Sequence, residues 1–166
     1  HYPLLPGHIP LLLDISQGIR NNSTRIQADA SSVRGVLQII WDLFNGKNVN
    51  FKNREIGALV TLDGVYDIQR SALSSDTLLT MDKIETASKG NSVKLKTAKA
   101  IAMLETIQEQ QPTTDKLIAS VLYSGLGESS ILEEVQTAIK ELERENLIIE
   151  QEKLGWRIQD HAGQDW

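Results

Sequence analysis

Apolar and polar residues follow a helical period along most of the chain, and the clearest example before residue 90 spans residues 31–46. Apolar side chains recur there every three or four positions, and Asn45 and Gly46 end the run. This spacing predicts an amphipathic helix, with a Ser at its N-cap, whose apolar stripe packs into a core. The stripe includes Trp41 and Phe44, so both aromatic side chains are expected inside the first part of the molecule.

The other segments before residue 90 have weaker patterns. Residues 9–19 predict a short helix that begins near Pro10 and stops near Gly18, and the polar residues 20–29 predict a loop. A short strand or extended link and then two short helices are expected at residues 56–65, 65–73 and 78–87.

The small, polar segment at residues 89–92 is the expected domain boundary, which divides the chain into residues 1–90 and residues 91–166. The second part predicts a helix, a short helix, a turn at Gly125 and Gly127, a third helix and a β-hairpin. These elements are expected at residues 93–110, 117–123, 131–146 and 147–158. This order is typical of a winged helix-turn-helix, so the fold class is mainly α with a small hairpin.

The charges are unevenly distributed. The net charge is -5, with nine Lys and Arg against nine Asp and Glu in residues 1–90, and eight against thirteen in residues 91–166. The third predicted helix carries five Glu but only Lys140 and Arg144. Because binding to phosphate backbones depends on cationic side chains, this pattern favours packing or protein binding over readout of a DNA sequence.

Several kinds of chemistry lack their motifs. No Walker loop, nucleophile elbow or His/Glu metal-ligand spacing occurs, so the chain alone is not expected to be catalytic or to bind a metal ion. It has no cysteine, and no apolar run approaches the roughly 18 residues that span a membrane. These features favour the cytoplasm. Because the chain begins at His1 rather than Met, we expect a piece of a longer protein, and a mature terminus produced by processing is the alternative.

Arg34 is the main candidate for a functional residue in the first part. It falls in the first turn of the predicted helix at residues 31–46, where its guanidinium can project towards phosphate oxygens in a forked geometry. A solvated or salt-bridged arginine is the alternative. Arg20 and Arg25 are weaker candidates for the same role.

The second part contains a larger set of candidate contacts with nucleic acid or a protein partner, at the start and side of the third helix and in the hairpin. These residues are Ser129, Ser130, Gln136, Lys140, Lys153, Trp156 and Arg157. Packing of Trp156 against the third helix is the favoured alternative to a partner contact.

Several short motifs, in this order along the chain, resemble segments of the large P-loop ATPases of bacteriophage-exclusion (BREX) systems, the BrxC/PglY-like family. They are Tyr-Pro-Leu-Leu-Pro at residues 2–6, Arg-Gly-Val-Leu at 34–37, the stretch at 56–63, Gly-Trp-Arg-Ile-Gln at 155–159 and Ala-Gly-Gln-Asp-Trp at 162–166. The resemblance runs over most of the chain. It departs from the family at residues 4–5, where an aromatic residue or His is common, and in the acidic third helix.

This resemblance implies that residues 1–90 are the helical lid of an AAA+-like ATPase and that a winged helix follows. It places Arg34 where such ATPases have the sensor 2 arginine, which contacts the γ-phosphate of ATP. ATP and Mg²⁺ would then be bound by the core that precedes this chain. The implied role is in antiviral defence, and the implied partners are the rest of the ATPase chain, other defence proteins, DNA, and further copies of the ATPase.

Two alternatives remain open. One alternative to the ATPase interpretation is a free-standing winged-helix transcription regulator that binds DNA and has an N-terminal sensing or dimerisation domain. The other is a winged helix that binds only proteins. The first alternative requires positive potential around Ser129, Ser130, Lys140 and Lys153, which the charge count disfavours.

Overall fold

In a computed structural model of the chain, the described residues are 2–22, 32–46 and 51–160, and they form seven α-helices and one two-stranded antiparallel sheet. The helices are α1 (His8–Asn22), α2 (Ser32–Asn45), α3 (Leu62–Gln69), α4 (Ser75–Ala87), α5 (Ser92–Leu104), α6 (Asp115–Val121) and α7 (Leu132–Arg144). The strands are β1 (Ile148–Gln151) and β2 (Gly155–Ile158). The prediction of a mainly helical chain with a small hairpin is confirmed.

The hairpin is extended on the β2 side by a single residue of the segment between α5 and α6. Thr113 forms a parallel bridge with Gly155: the Thr113 N–H donates to Leu154 O at 2.9 Å, and the Trp156 N–H donates to Thr113 O at 3.0 Å. Gly155 has a φ of 82°, and a Cβ at this position would lie 2.1 Å from Thr113 O. Only glycine therefore fits both the backbone conformation and the close approach.

Helix α5 is the centre of the molecule. Its residues from Ala100 to Leu104 are fully buried, and it packs against α3, α4, α7 and β2. One hydrophobic cluster extends from Leu11 to Ile158 and includes residues on both sides of Gly90. The segment predicted as a domain boundary is thus the turn between α4 and α5, beside a shared core. The division into two domains at this turn stays a prediction.

A short backbone pairing also joins the two parts. The Leu59 N–H donates to Ser124 O at 2.8 Å, and the Leu126 N–H donates to Gly57 O at 2.9 Å. The strand or extended link predicted from residue 56 is therefore a brief pairing with the turn between α6 and α7. It ends before residue 62, where α3 begins.

The prediction that Gly18 stops the first helix is wrong. Helix α1 continues to Asn22, so residues 20–22 are helical, and the rest of the predicted loop lies outside the described residues. A Cβ at Gly18 would lie 2.4 Å from Thr106 O. The glycine therefore permits α1 to approach the backbone beyond α5 closely, rather than ending the helix. That backbone segment is a 3-10 turn (Glu105–Ile107) that follows α5 directly. The helix predicted at residues 93–110 therefore ends six residues earlier than expected, at Leu104.

Candidate functional site

Helix α2 buries one side and exposes the other. From residue 34 to residue 45, its buried side chains are Val36, Ile39 and Leu43. The prediction that Trp41 packs in the core is wrong, since 63% of its surface is exposed, whereas Phe44 is half-buried against the core. The apolar residues of α2 cover more of the helix than the core can accept, so the sequence period alone did not fix which side is buried.

The exposed side of α2 places a cation in line with two apolar residues. Arg34, Leu37 and Trp41 lie at positions i, i+3 and i+7, which fall on one side of a helix. Leu37 is 60% exposed, and Arg34 forms no hydrogen bond or ion pair with another described residue. We refer to Arg34, Leu37 and Trp41 as the α2 face. It offers an exposed guanidinium next to an apolar surface.

The two weaker arginine candidates differ from Arg34. Arg20 lies near the end of α1, and its Nε donates to Ser16 O at 3.2 Å. Arg25 lies outside the described residues. Arg20 and Arg34 are both exposed, and of these two Arg34 is the one without a hydrogen bond or ion pair to another described residue.

Lys94 forms ion pairs with two glutamates of α7, Glu141 and Glu145, and holds their carboxylates on the side of that helix that faces α5. The side chain of Lys94, on α5, is only 6% exposed, and its Nζ lies 2.8 Å from Glu145 Oε1 and 3.8 Å from Glu141 Oε2. These two glutamates therefore point towards α5. The sequence did not reveal this ion pair, because its partners are 51 residues apart.

The side of α7 opposite its buried residues is less acidic than the sequence suggests. Successive helical residues are about 100° apart, which places five exposed residues on this side. They are Glu133, Gln136, Thr137, Lys140 and Arg144. We refer to them as the outer face of α7. It carries two cations and one carboxylate, with Glu134 and Glu143 exposed at its margins.

The N-terminus of α7 is not well suited to an anion. The N-cap is Ile131 rather than a serine, although Ser130 Oγ accepts a hydrogen bond from the Leu132 N–H at 3.3 Å. Ser129 and Ser130 are exposed. Glu133 in the first turn already provides negative charge beside the free N–H groups, so a phosphate there would meet a carboxylate.

Two of the predicted contact residues meet at one carboxylate. The Trp156 Nε1 donates to Asp115 Oδ1 at 2.8 Å, and the Gln136 Nε2 donates to Asp115 Oδ2 at 3.3 Å. Trp156 is 9% exposed and packs in the core, as the favoured interpretation expected. Asp115, at the start of α6, was not among the predicted site residues, since only the fold brings it next to Trp156.

The remaining hairpin residues lie apart from this cluster. Lys153 is exposed at the tip, with a φ of 71°. Arg157 follows Trp156 in β2, so its side chain points to the other side of the hairpin. It lies 3.5 Å from Asp160 Oδ2. The predicted contact residues therefore do not form one surface.

Two negative findings apply to residues 2–22, 32–46 and 51–160. No group of three or more His, Asp or Glu side chains in these ranges is placed to hold a metal ion. Their helices also lack the combination of length and apolar character needed to cross a bilayer.

Comparison with known proteins gives no relative: no protein-family model, curated protein or solved structure matches the chain.

Proposed function

We propose that the chain is the lid and winged-helix portion of a large P-loop ATPase of a BREX-type defence system, and that it transmits the nucleotide state to a partner. In this proposal the chain performs no catalysis by itself. ATP and Mg²⁺ bind to a core that precedes residue 1, and Arg34 contacts the γ-phosphate. The motifs shared in order with the BrxC/PglY-like family motivate the proposal.

The α2 face is the observation that carries the lid assignment. A lid needs a surface that packs against the nucleotide-binding core, together with a cation that reaches the phosphates. Leu37 and Trp41 offer the apolar part of such a surface, and Arg34 offers the cation. An arginine suits this role because its planar guanidinium donates two parallel hydrogen bonds to phosphate oxygens.

The arrangement of the second part supports the winged-helix assignment. Three helices are followed by a hairpin, and Thr113 bridges to the hairpin at Gly155 before α6 begins. This is where a winged helix has its first, short strand. Residues of both parts contribute to the hydrophobic cluster around α5, and packed side chains of this kind can carry coupling between the proposed lid and the proposed winged helix.

Mutation of Arg34 in the intact gene product tests the proposal. We expect Arg34→Ala to lower the rate of ATP hydrolysis by about tenfold or more, since it removes the positively charged guanidinium group that contacts the γ-phosphate. Arg54→Ala is the control, because Arg54 is also an exposed arginine but lies outside the α2 face. Equal rates for the two variants would remove Arg34 from the mechanism. An intact gene product without a Walker loop before residue 1 would contradict the whole proposal.

A DNA contact through the outer face of α7 is the second candidate for this module. Two observations favour it. Lys140 and Arg144 place positive charge on that face, and the carboxylates of Glu141 and Glu145 are paired with Lys94 on another side of the helix. We expect Lys140→Glu to abolish a gel shift of duplex DNA at low salt, and Lys89→Glu, in the turn before α5, to leave it unchanged. A chain that shifts no DNA at low salt supports the protein-binding winged helix instead. Tight binding to one operator sequence supports the free-standing regulator.

A further inference from the structure

The C-terminal end of the hairpin is held against the rest of the molecule by side chains of two other elements. The Ile158 N–H donates to Glu105 Oε2 at 2.8 Å, and the Thr80 hydroxyl donates to Gln159 O at 2.8 Å. Glu105 begins the 3-10 turn after α5, and Thr80 lies in α4. A carboxyl group and a hydroxyl group therefore fix the position of the hairpin end.

The carboxyl group of Glu105 also contacts α4. Its Oε1 accepts a hydrogen bond from the Thr77 hydroxyl at 3.3 Å. Thr77 is itself positioned by the N-cap of α4, since its N–H donates to Ser74 Oγ at 3.2 Å. One oxygen of the carboxyl group thus contacts the hairpin and the other contacts α4, so this group links the two elements.

The charged groups around Glu105 leave it without an ion pair. The cleft beside it is bounded by α1, the segment before α4, residues 105–110 and the hairpin. Of the described residues that line this cleft, the other charged ones are Glu109, Arg157 and Asp160, and α1 and α4 contribute none. Arg157 lies 3.5 Å from Asp160 Oδ2, and Glu105 forms no ion pair with a described residue.

This environment favours the protonated form of Glu105. Part of the residue remains exposed at the cleft, but burial of the carboxyl group raises its pKa to about 7. The hydrogen bonds from Ile158 and Thr77 and the charge of Arg157 lower the pKa and oppose this effect only in part. A protonated carboxyl group still accepts through one oxygen, and its O–H has the Thr77 hydroxyl oxygen as an acceptor, so protonation preserves both links.

We propose that Glu105 is a pH-sensitive latch: its protonated form keeps the hairpin end docked against α4 and the 3-10 turn, and its ionisation favours local release of residues 158–160. Release admits water to the carboxyl group, which then ionises as it does in an unfolded chain. The latch acts on one end of the hairpin while the core around α5 stays folded. The proposal does not depend on the ATPase assignment.

The direction of the effect follows from the two states of Glu105. Its pKa is about 7 when the hairpin end is docked and returns towards 4.5 when water reaches the carboxyl group. The contribution of Glu105 to docking is therefore full below pH 4.5 and is lost as pH rises to about 7. Over this window the equilibrium constant for release increases by roughly 300-fold at most.

Amide hydrogen exchange of the 166-residue chain, measured by NMR at several pH values from 5 to 7.5, tests the proposal. The protection factor divides the exchange rate of an unstructured peptide by the measured rate, which removes the intrinsic effect of pH. We expect the Ile158 amide to be at least about tenfold less protected than that of Ala102, a buried residue of α5 that reports global unfolding. We also expect the protection factor of Ile158 to fall about tenfold or more between pH 5 and pH 7.5.

Two results would overturn the proposal. Equal protection of Ile158 and Ala102 would show that the hairpin end opens only with the whole fold. A protection factor of Ile158 that does not change with pH would show that no titrating group controls the opening.

Variants assign the titration to Glu105. Glu105→Gln keeps an acceptor for the Ile158 N–H but does not ionise, so we expect it to abolish the fall in protection. Glu109→Gln, at an exposed position of the same cleft, should retain the fall. An unchanged fall in folded Glu105→Gln would contradict the assignment.

A second variant decides if Glu105→Gln fails to fold. Thr77→Val removes the hydroxyl group that lowers the pKa of Glu105, so we expect the fall in protection of Ile158 to end at a higher pH than in wild type. A fall that ends at the same pH in both proteins would contradict the role of this carboxyl group.

Discussion

Trp156 Nε1 donates a hydrogen bond of 2.8 Å to Asp115 Oδ1, which ties the hairpin to the start of α6. Removal of a hydrogen bond to a charged group costs about 1.5–3 kcal/mol, so we expect Trp156→Phe to lower the free energy of unfolding by at least that amount. Trp41→Phe, at an exposed position, should change it by less than about 0.5 kcal/mol. Urea denaturation measures both values, and similar losses in the two variants would contradict this role for the indole N–H.

Alanine variants at Gly155 and Gly127 distinguish the cost of a positive φ from the cost of a clash between a Cβ and the neighbouring backbone. Both have positive φ values, 82° and 86°, but a Cβ would meet Thr113 O only at Gly155. We expect Gly127→Ala to cost about 1 kcal/mol and Gly155→Ala to cost at least about 3 kcal/mol, because the second variant also displaces Thr113 from the hairpin. Thermal denaturation of the two variants provides the comparison. Equal destabilisation of the two variants would contradict the added cost that we assign to displacement of Thr113 from the hairpin.

Lys94 is a buried cation whose removal should be tolerated better than removal of its partners. We expect the Glu141→Gln and Glu145→Gln double variant to lower the free energy of unfolding by about 2 kcal/mol, since it leaves the ammonium group buried without a countercharge. Lys94→Met should cost less, because no unpaired charge remains inside. Glu143→Gln, at an exposed position of the same helix, is the control. A greater loss in Lys94→Met than in the double variant would contradict this account.

Glu105 should make stability depend on pH between about 4.5 and 7. Burial raises its pKa from 4.5 to about 7 in the folded chain, so the folded state holds this proton more tightly than the unfolded state. Its contribution to stability is therefore full below pH 4.5 and is lost as pH rises to about 7. The loss amounts to roughly 3 kcal/mol at most.

Urea denaturation at several pH values measures this contribution. Glu105→Gln should flatten the decrease in stability over this pH window, and Glu109→Gln, at an exposed neighbouring position, should leave it intact. A decrease of the same size in wild type and Glu105→Gln would assign it to another group.

The sequence predicted local elements better than it predicted their packing. The spacing of apolar residues located α2, α6, α7 and the hairpin to within two residues. It located the start of α5 but placed the end of that helix at residue 110 instead of Leu104. The period did not show which side of α2 is buried, so Trp41 was misplaced. It also did not show that the glycine at residue 18 serves a close approach rather than a helix end.

Contacts between distant residues explain most of what the sequence missed in the candidate sites. Glu105 and Ile158 are 53 residues apart, and the Lys94–Glu145 pair joins two different helices. Such pairs depend on how the helices pack around α5, which no local pattern specifies. A position in the first turn of a helix and a motif indicated Arg34. Its side chain is exposed, and its contact with phosphate stays a prediction.

Chemical labelling of the α2 face tests the central claim most directly. The chain has no cysteine, so Leu37→Cys introduces a single thiol on that face, and Leu79→Cys on α4 introduces one at another exposed position. The measurement is the rate of maleimide modification, followed on the isolated peptide, in the 166-residue chain and in the intact gene product with ATP. We predict that Leu37→Cys reacts at least about tenfold more slowly in the intact protein and that Leu79→Cys reacts equally in both. Equal rates for Leu37→Cys in the two proteins would contradict the account.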